Sequence, residues 1–322
     1  MLARSMKRSI SIVGAGRVGK TLAKRLRELG WSIGAVVTRS PQTARAAVRA
    51  IGAGSPSAIA ATRHSLGDRS FSSDVSPAPQ SGVSTPEALT GAILASDVVL
   101  VATPDQNMAG IVRSLAEEGS GWRGKIVLHT SGALDRSVLA PLARRGAHTG
   151  SMHPMQTFSG RNVPRLEGVT FAIEGDPTAV RLAQSIARSL GGVPVKIAGR
   201  NKPAYHATAV LASGSSFALI ESSLRILTSI GFTRRQALET LLPLIRQMLD
   251  NIERLGPRAA WTGPLSRGDY EVVAKHARAL RRYPPEFRHA YAALAHLAGR
   301  VLAKHPREAK TKIGKAIKDS RR

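Results

Sequence analysis

The 322-residue sequence contains no cysteine. That excludes a disulfide scaffold, thiolate metal sites, Fe–S clusters and a cysteine nucleophile. Aromatic residues make up only 4% of the chain, which leaves few platforms for stacking nucleic-acid bases. Acidic residues are also scarce: 21 Asp and Glu stand against 47 Lys and Arg, a formal charge of +26. No run of roughly 18 apolar residues occurs, so no segment reads as a membrane span. The first strand-like run begins at Ser9, and the residues before it are too few for a signal peptide with its own hydrophobic region. The expected location is the cytoplasm.

What is present is an ordinary globular composition. Apolar residues reach 43%, too many for a disordered chain, and the length suits two domains with a core each. The excess charge fits phosphate binding through counterion release. Against that, Arg and Lys are scattered over predicted helices, as on solvated faces. The stretch from Arg300 to Arg322 is the exception, with only Glu308 and Asp319 among its basic residues. Nucleic-acid binding through this segment is therefore the weaker alternative, and a solvated tail the simpler reading.

The pattern along the chain alternates strand and helix. Apolar, β-branched runs at 9–13, 31–37, 97–103, 125–130, 147–152, 169–174 and 193–197 read as strands. Helical spacing fills 20–29, 42–51 and 178–190, and Thr85-Pro86-Glu87 looks like a helix start with Thr85 as cap. This predicts an α/β domain with a doubly wound, mostly parallel Rossmann sheet over 8–199. Residues 52–84, rich in Ser, Pro, Gly and Ala, read as a loop or insertion. Beyond about Gly199 the pattern is helical only. It predicts an all-α domain over 200–304, with a long helix that is capped by Thr233 and carries an apolar stripe from Ala237 to Ile252, and a basic tail at 305–322.

Gly14, Gly16 and Gly19 form G-x-G-x-x-G between the first strand and first helix, with Arg17 and Val18 inside the turn. In this context the motif reads as a dinucleotide site. Gly14 allows the tight turn, Gly16 lets the backbone approach a pyrophosphate at the helix N-terminus, and Gly19 allows close helix–strand packing. An NAD site places an acidic residue at the end of the second strand. This chain has no Asp or Glu between Glu28 and Asp68, and Thr38-Arg39-Ser40 stands there instead. A guanidinium with two hydroxyls suits a 2′-phosphate, so NADP is expected in preference to NAD.

Ligands of open α/β sheets sit at the carboxyl ends of strands. Three such ends carry polar clusters: Thr103-Pro104-Asp105, His129-Thr130-Ser131-Gly132, and Ser151-Met152-His153-Pro154. Thr103 and Pro104 are candidates for cofactor contact, Ser131 and His153 for substrate contact, and Asp105 reads as a helix cap. Lys202 and His206 are four residues apart, hence on one helical face, and are the candidate proton donors at the mouth of a cleft. In Thr262 to Asp269, Arg267 can pair with an anionic substrate; Asp269 stands beside it and also reads as a cap. No His, Asp and Glu set has metal-ligand spacing, and no G-x-S-x-G elbow is present.

Taken together, the glycine fingerprint, the run from Asp97 to Asp105, His153-Pro-Met-Gln-Thr-Phe158, Lys202-Pro-Ala-Tyr-His206 and Thr262 to Asp269 resemble one family. It is the Rossmann-like NADP oxidoreductases with a C-terminal helical domain, related to pyrroline-5-carboxylate reductase and the β-hydroxyacid dehydrogenases. The resemblance covers about residues 8–300 and departs at 52–84 and in the basic tail. It implies an NADP-binding first domain and a helical domain that supports a homodimer. In the β-hydroxyacid dehydrogenases the helix entering the second domain carries a catalytic Lys followed about a turn later by an amide residue. Lys202 falls at that place, with His206 in the position of the amide. Hydride transfer to or from a small, anionic C=O or C=N compound is the activity expected from the cofactor's chemistry rather than from any one residue. The alternative is a non-catalytic NADP-binding sensor or scaffold.

Overall fold

Five short apolar runs fix the centre of the first unit. In this computed structural model, which describes residues 8–58, 86–160 and 162–319, they form strands β1 (Ser9–Val13), β2 (Ser32–Thr38), β4 (Val98–Val101), β5 (Ile126–His129) and β6 (His148–Pro154). β3 (Ser55–Ala58), β7 (Thr170–Gly175) and β8 (Val193–Lys196) complete an eight-stranded sheet of order β3-β2-β1-β4-β5-β6-β7-β8. Pairing is parallel except between β6 and β7. Every residue of β4 is buried, as expected of a strand covered on both faces.

Helices α1 (Arg17–Glu28), α2 (Pro41–Ile51), α3 (Pro86–Leu94), α4 (Asp105–Glu118), α5 (Ala140–Arg144) and α6 (Pro177–Ser189) cover the sheet. Leu22 and Leu26 of α1 and Ile186 of α6 pack in one apolar cluster with Ile10 and Ile12. Ile93 of α3 and Met108 and Val112 of α4 pack in another with Val13, Val99 and Val101. The alternation of β1 side chains between the two clusters is the doubly wound arrangement expected from the sequence. Local chemistry sets the helix ends. Ser40 Oγ accepts from Thr43 N–H with Pro41 in the first turn of α2, and Gly52 closes that helix at φ 81°. Asp176 caps α6 through Thr178 and Ala179 N–H.

Two compact units divide the chain at Ser213/Gly214 rather than near residue 199. α7 (Lys202–Ala209) thus belongs to the first unit and leads into a π-helical segment, Val210–Gly214. The second unit holds α8 (Ser215–Ser229), α9 (Arg234–Leu255), α10 (Pro264–Arg267), α11 (Tyr270–Ala279), α12 (Pro285–Val301) and α13 (Pro306–Asp319). Thr233 and Gln236 form a reciprocal capping box at the start of α9.

Several expectations are corrected. Ser55–Ala58, expected as loop, pairs in parallel with β2 as a strand. Residues 59–84 of the expected insertion and the Thr85 cap lie outside the described residues. The basic tail is not a solvated segment: α13 buries Ala309, Ile313 and Ala316 and packs on α12 and α11. The apolar stripe on α9 is largely uncovered, with Ala237 its one buried residue. Finally, one helical run, Gly199–Ser229, is long and apolar enough by length and composition to cross a membrane, with mean hydropathy 1.2. Its first two turns carry the polar contacts of the site described next.

Candidate active site

The glycine turn has the geometry its motif requires. Gly14 adopts φ 92°, and a Cβ there would meet Thr103 Cγ2 and the Ala102 backbone. A Cβ on Gly19 would collide with the Gly14 carbonyl oxygen, so α1 lies hard against the turn. Gly16 faces open space, and as the N-cap of α1 it offers no side-chain bond to the free N–H groups of the first turn. Beside the turn, the buried Thr103 Oγ1 has no hydrogen-bond partner. An open approach to uncapped N–H groups with an orphaned hydroxyl alongside fits a dinucleotide pyrophosphate. Of the other turn residues, Arg17 donates to the Phe158 carbonyl at 3.3 Å, and Val18 packs against the core.

At the end of β2 the three expected residues divide. The hydroxyls of Thr38 and Ser40 are occupied with Thr43 at the start of α2, at 2.6 and 2.9 Å. Arg39 is exposed and has no hydrogen-bond or ion-pair partner among the described residues. Its guanidinium alone is free to receive a 2′-phosphate.

β1, β4, β5 and β6 run parallel, so the polar ends of β5 and β6 lie on the same edge of the sheet as the glycine turn. Lys202 joins them. It is 0% exposed, and its Nζ donates to the Ser131 carbonyl at 2.8 Å and to Ser151 Oγ at 2.6 Å. Ser151 in turn donates to Glu174 Oε1 at 3.1 Å, and the two are register partners across β6 and β7. Burial pulls the Lys202 ammonium down to about 8, against the opposing pull of Glu174, Asp135 and Asp105. The expected pair at a cleft mouth is therefore split: Lys202 points inward as a bridge between strands, and only His206 remains on the site side.

Three rings meet above that bridge. Tyr205 Oη and His153 Nδ1 are 3.2 Å apart. The His153 ring stands edge-on to both Tyr205 and His206, with centroids at 5.5 and 5.6 Å. A Cβ on Gly132 would collide with His206 Nδ1 and lie 2.8 Å from His153 Nε2, so this glycine makes room for two converging imidazoles. His206 Nδ1 is buried without a partner. Burial, then the nearby His206 and Lys202, holds His153 down at about 4, and burial lifts the Tyr205 phenol to about 12. Near neutral pH both are uncharged. His129, fully buried below, is held at about 3 by burial and by Lys202. Its Nδ1 accepts from Ser131 N–H at 3.2 Å, which places its proton on the unpartnered Nε2.

Ser131 and Asp105 have inward roles. The Ser131 hydroxyl donates to Asp105 Oδ2 at 2.9 Å and accepts from Ala133 and Leu134 N–H. Its hydrogen and lone pairs are used in shaping the loop. Asp105 begins α4 without capping it. In the second unit, Arg267 Nε donates to Asp269 Oδ2 at 3.0 Å, both side chains being exposed, and Asp269 makes no side-chain cap to α11. Among the described residues no group of His, Asp and Glu can hold a metal ion. Nothing in the sequence pattern singles out Glu174, His129 or the inward face of Ser151 as parts of one network. Only the β6–β7 register and the return of α7 to the sheet bring them together.

Known proteins share this architecture. A Rossmann-like domain profile matches residues 79–154, and that of DUF2520, a domain of unknown function, matches residues 169–298. No curated protein sequence matches the chain. Among solved structures, a Bacteroides fragilis protein provisionally assigned as an NADP oxidoreductase is 20% identical, with TM-score 0.68 over 95% of this chain and 98% of that one. An Aspergillus terreus reductive aminase, solved with NADPH and ethyl-5-oxohexanoate, is 17% identical, with TM-score 0.62 over 96% and 99%. The 1-pyrroline-5-carboxylate reductase of Streptococcus pyogenes is 14% identical, with TM-score 0.54 over 97% of each chain. At such identities the likeness is one of fold. The chain therefore joins a Rossmann-like domain to a domain of the DUF2520 family.

Proposed function

We propose that the protein is an NADP(H)-dependent oxidoreductase acting on a small compound with a C=O or C=N bond. The observation that carries the reading is the convergence of Tyr205, His153 and His206 on the sheet edge that also bears the glycine turn. Gly14, Gly16 and Gly19 would hold the pyrophosphate, with Thr103 and Pro104 beside it and Arg39 on the 2′-phosphate. The nicotinamide, when bound, supplies or takes the hydride. The chain's own groups handle the proton. Tyr205, protonated at neutral pH and bonded to neutral His153, presents a hydroxyl, and His206 presents a ring nitrogen with no internal partner. Lys202 fixes the β5 and β6 ends through Ser131 and Ser151 and sets a positive charge beneath the rings. Arg267 lies in the second unit and is not part of the ring cluster, so the proposal is confined to the C=O or C=N function.

Two further expectations belong to this reading. The cytoplasm suits an enzyme drawing on the soluble nicotinamide pool. A homodimer through the helical unit suits the exposed apolar side chains of α8 and α9, among them Phe217 at 68% and Leu244 at 66%.

The experiment is titration with NADPH and NADH, followed by loss of nicotinamide absorbance with small imines and ketones. NADPH should bind at least about tenfold more tightly than NADH through the charge-assisted bonds of Arg39, and Arg39→Asp should abolish that preference. Tyr205→Phe should lower turnover about 100-fold with binding retained. Binding of neither nucleotide overturns the reading, and NADPH binding without turnover on any substrate leaves the sensor.

A further inference from the structure

The second unit has a cavity of about 570 Å³ that the proposed nicotinamide site does not use. α10, the first residue of α11, the 302–305 link after α12 and the start of α13 line it, together with Arg258 and Trp261, and it is open to solvent on one side. Four cations line it: Arg258, Arg267, Lys304 and Lys312. Two of them are committed. Arg267 is paired with Asp269, and Lys312 with Glu308 at 2.6 Å, the carboxylate that also lines the cavity. Lys312 further lies over the Tyr270 ring at 5.7 Å. Arg258 and Lys304 have no ion-pair or hydrogen-bond partner among the described residues.

The other walls are as informative. The whole sequence holds three Trp and four Tyr. Trp261 and Tyr270 both line this cavity and both are half-buried, with Leu265 and Leu302 as apolar neighbours. Aromatic side chains are scarce in this chain, and two of them share one cavity with its unpaired cations. Planar rings stack on indole and phenol faces, and guanidinium and ammonium groups bind phosphate. We propose that this cavity is a second ligand site, which takes a phosphate-bearing planar compound, a nucleotide by chemical class. Arg258 and Lys304 hold the phosphate, and Trp261 packs on the ring. The site is formed wholly within the second unit and does not depend on nicotinamide binding in the first.

Trp261 provides the readout. Adenosine diphosphate titrated into the full-length protein should change tryptophan fluorescence, and Trp261→Phe should remove that change. Trp31 and Trp122 lie in the first unit and report separately. The double variant Arg258→Glu/Lys304→Glu alters two exposed side chains, and circular dichroism checks that it folds. It should raise the half-saturating concentration by at least about tenfold. Inorganic pyrophosphate should compete, and adenosine should bind at least about tenfold more weakly than the diphosphate. A fluorescence change of undiminished size in Trp261→Phe overturns the proposal, as does unchanged affinity in the double variant. Equal affinity for adenosine, failure of pyrophosphate to compete, or no signal from the diphosphate does the same. A single-stranded oligonucleotide that binds where the diphosphate does not overturns it in favour of nucleic acid.

Discussion

His129 and His153 are kept uncharged by the burial that shapes the site, and this links the fold to pH. Their values in the fold, about 3 and about 4, lie below the ordinary 6.5. An unfolded chain therefore takes up protons between those values that the folded chain refuses. Stability from both groups is complete above about 6.5 and is lost as pH falls, toward about 4 for His153 and about 3 for His129. Denaturant unfolding of the wild type should show stability falling across that window. His153→Gln keeps a polar partner for Tyr205 and removes one titrating group, so its slope should be shallower. Equal slopes would show that His153 is not held neutral. At this scale the sequence was informative about residue types and less so about direction. The four-residue spacing of Lys202 and His206 placed both on one helix face. It did not reveal that Lys202 turns inward, because its acceptors stand 71 and 51 residues away in the chain. Ser131 was legible as a strand-end hydroxyl, but its commitment to Asp105 depends on how α4 starts beside the β5 loop.

Elements were read most reliably where one signal dominated. The buried parallel strands and the glycine turn were legible because each demands residue types that few competing structures use: unbroken β-branched runs in one case, glycines at fixed offsets in the other. α13 was hidden because its charge outweighed its pattern. Ala309, Ile313, Ala316 and Ile317 recur at helical spacing, yet the lysines between them suggested a solvated tail. In the structure Ile313 is 1% exposed, and a Cβ on Gly299 of α12 would lie 2.6 Å from its Cδ1. The two helices therefore interlock closely, with glycine opposite isoleucine. Ile313→Ala should destabilise the helical unit by about 3 kcal/mol, the cost of a buried large-to-small change. Lys315→Gln on the same helix should have an effect within about 0.5 kcal/mol. Thermal or denaturant unfolding distinguishes them. Equal, small effects would mean that α13 is the solvated tail the sequence suggested.

At the scale of the whole molecule, charge and apolar surface pull in opposite directions. The chain carries +26, which makes two copies repel. Yet α9 leaves Leu244, Met248 and Leu249 exposed at 66%, 50% and 56%, although its stripe has the spacing of a buried face. A stripe of that kind left bare on a monomer needs a cover, and a second copy of the chain offers one of matching character. The two forces have different salt responses. Repulsion between copies weakens as the Debye length shrinks from about 14 Å at 0.05 M to about 4 Å at 0.5 M salt, while apolar burial does not. Dimerisation should therefore strengthen with salt, the reverse of nucleic-acid binding, which loses affinity as counterion release is suppressed. Light scattering coupled to size exclusion should show a dimer that persists or tightens across that range. Leu244→Glu/Met248→Glu should be monomeric under the same conditions while its circular dichroism stays that of the wild type. A wild type that is monomeric at high salt would show that the α9 stripe has another cover. Assembly lost on adding salt would return the +26 to the centre of the functional question.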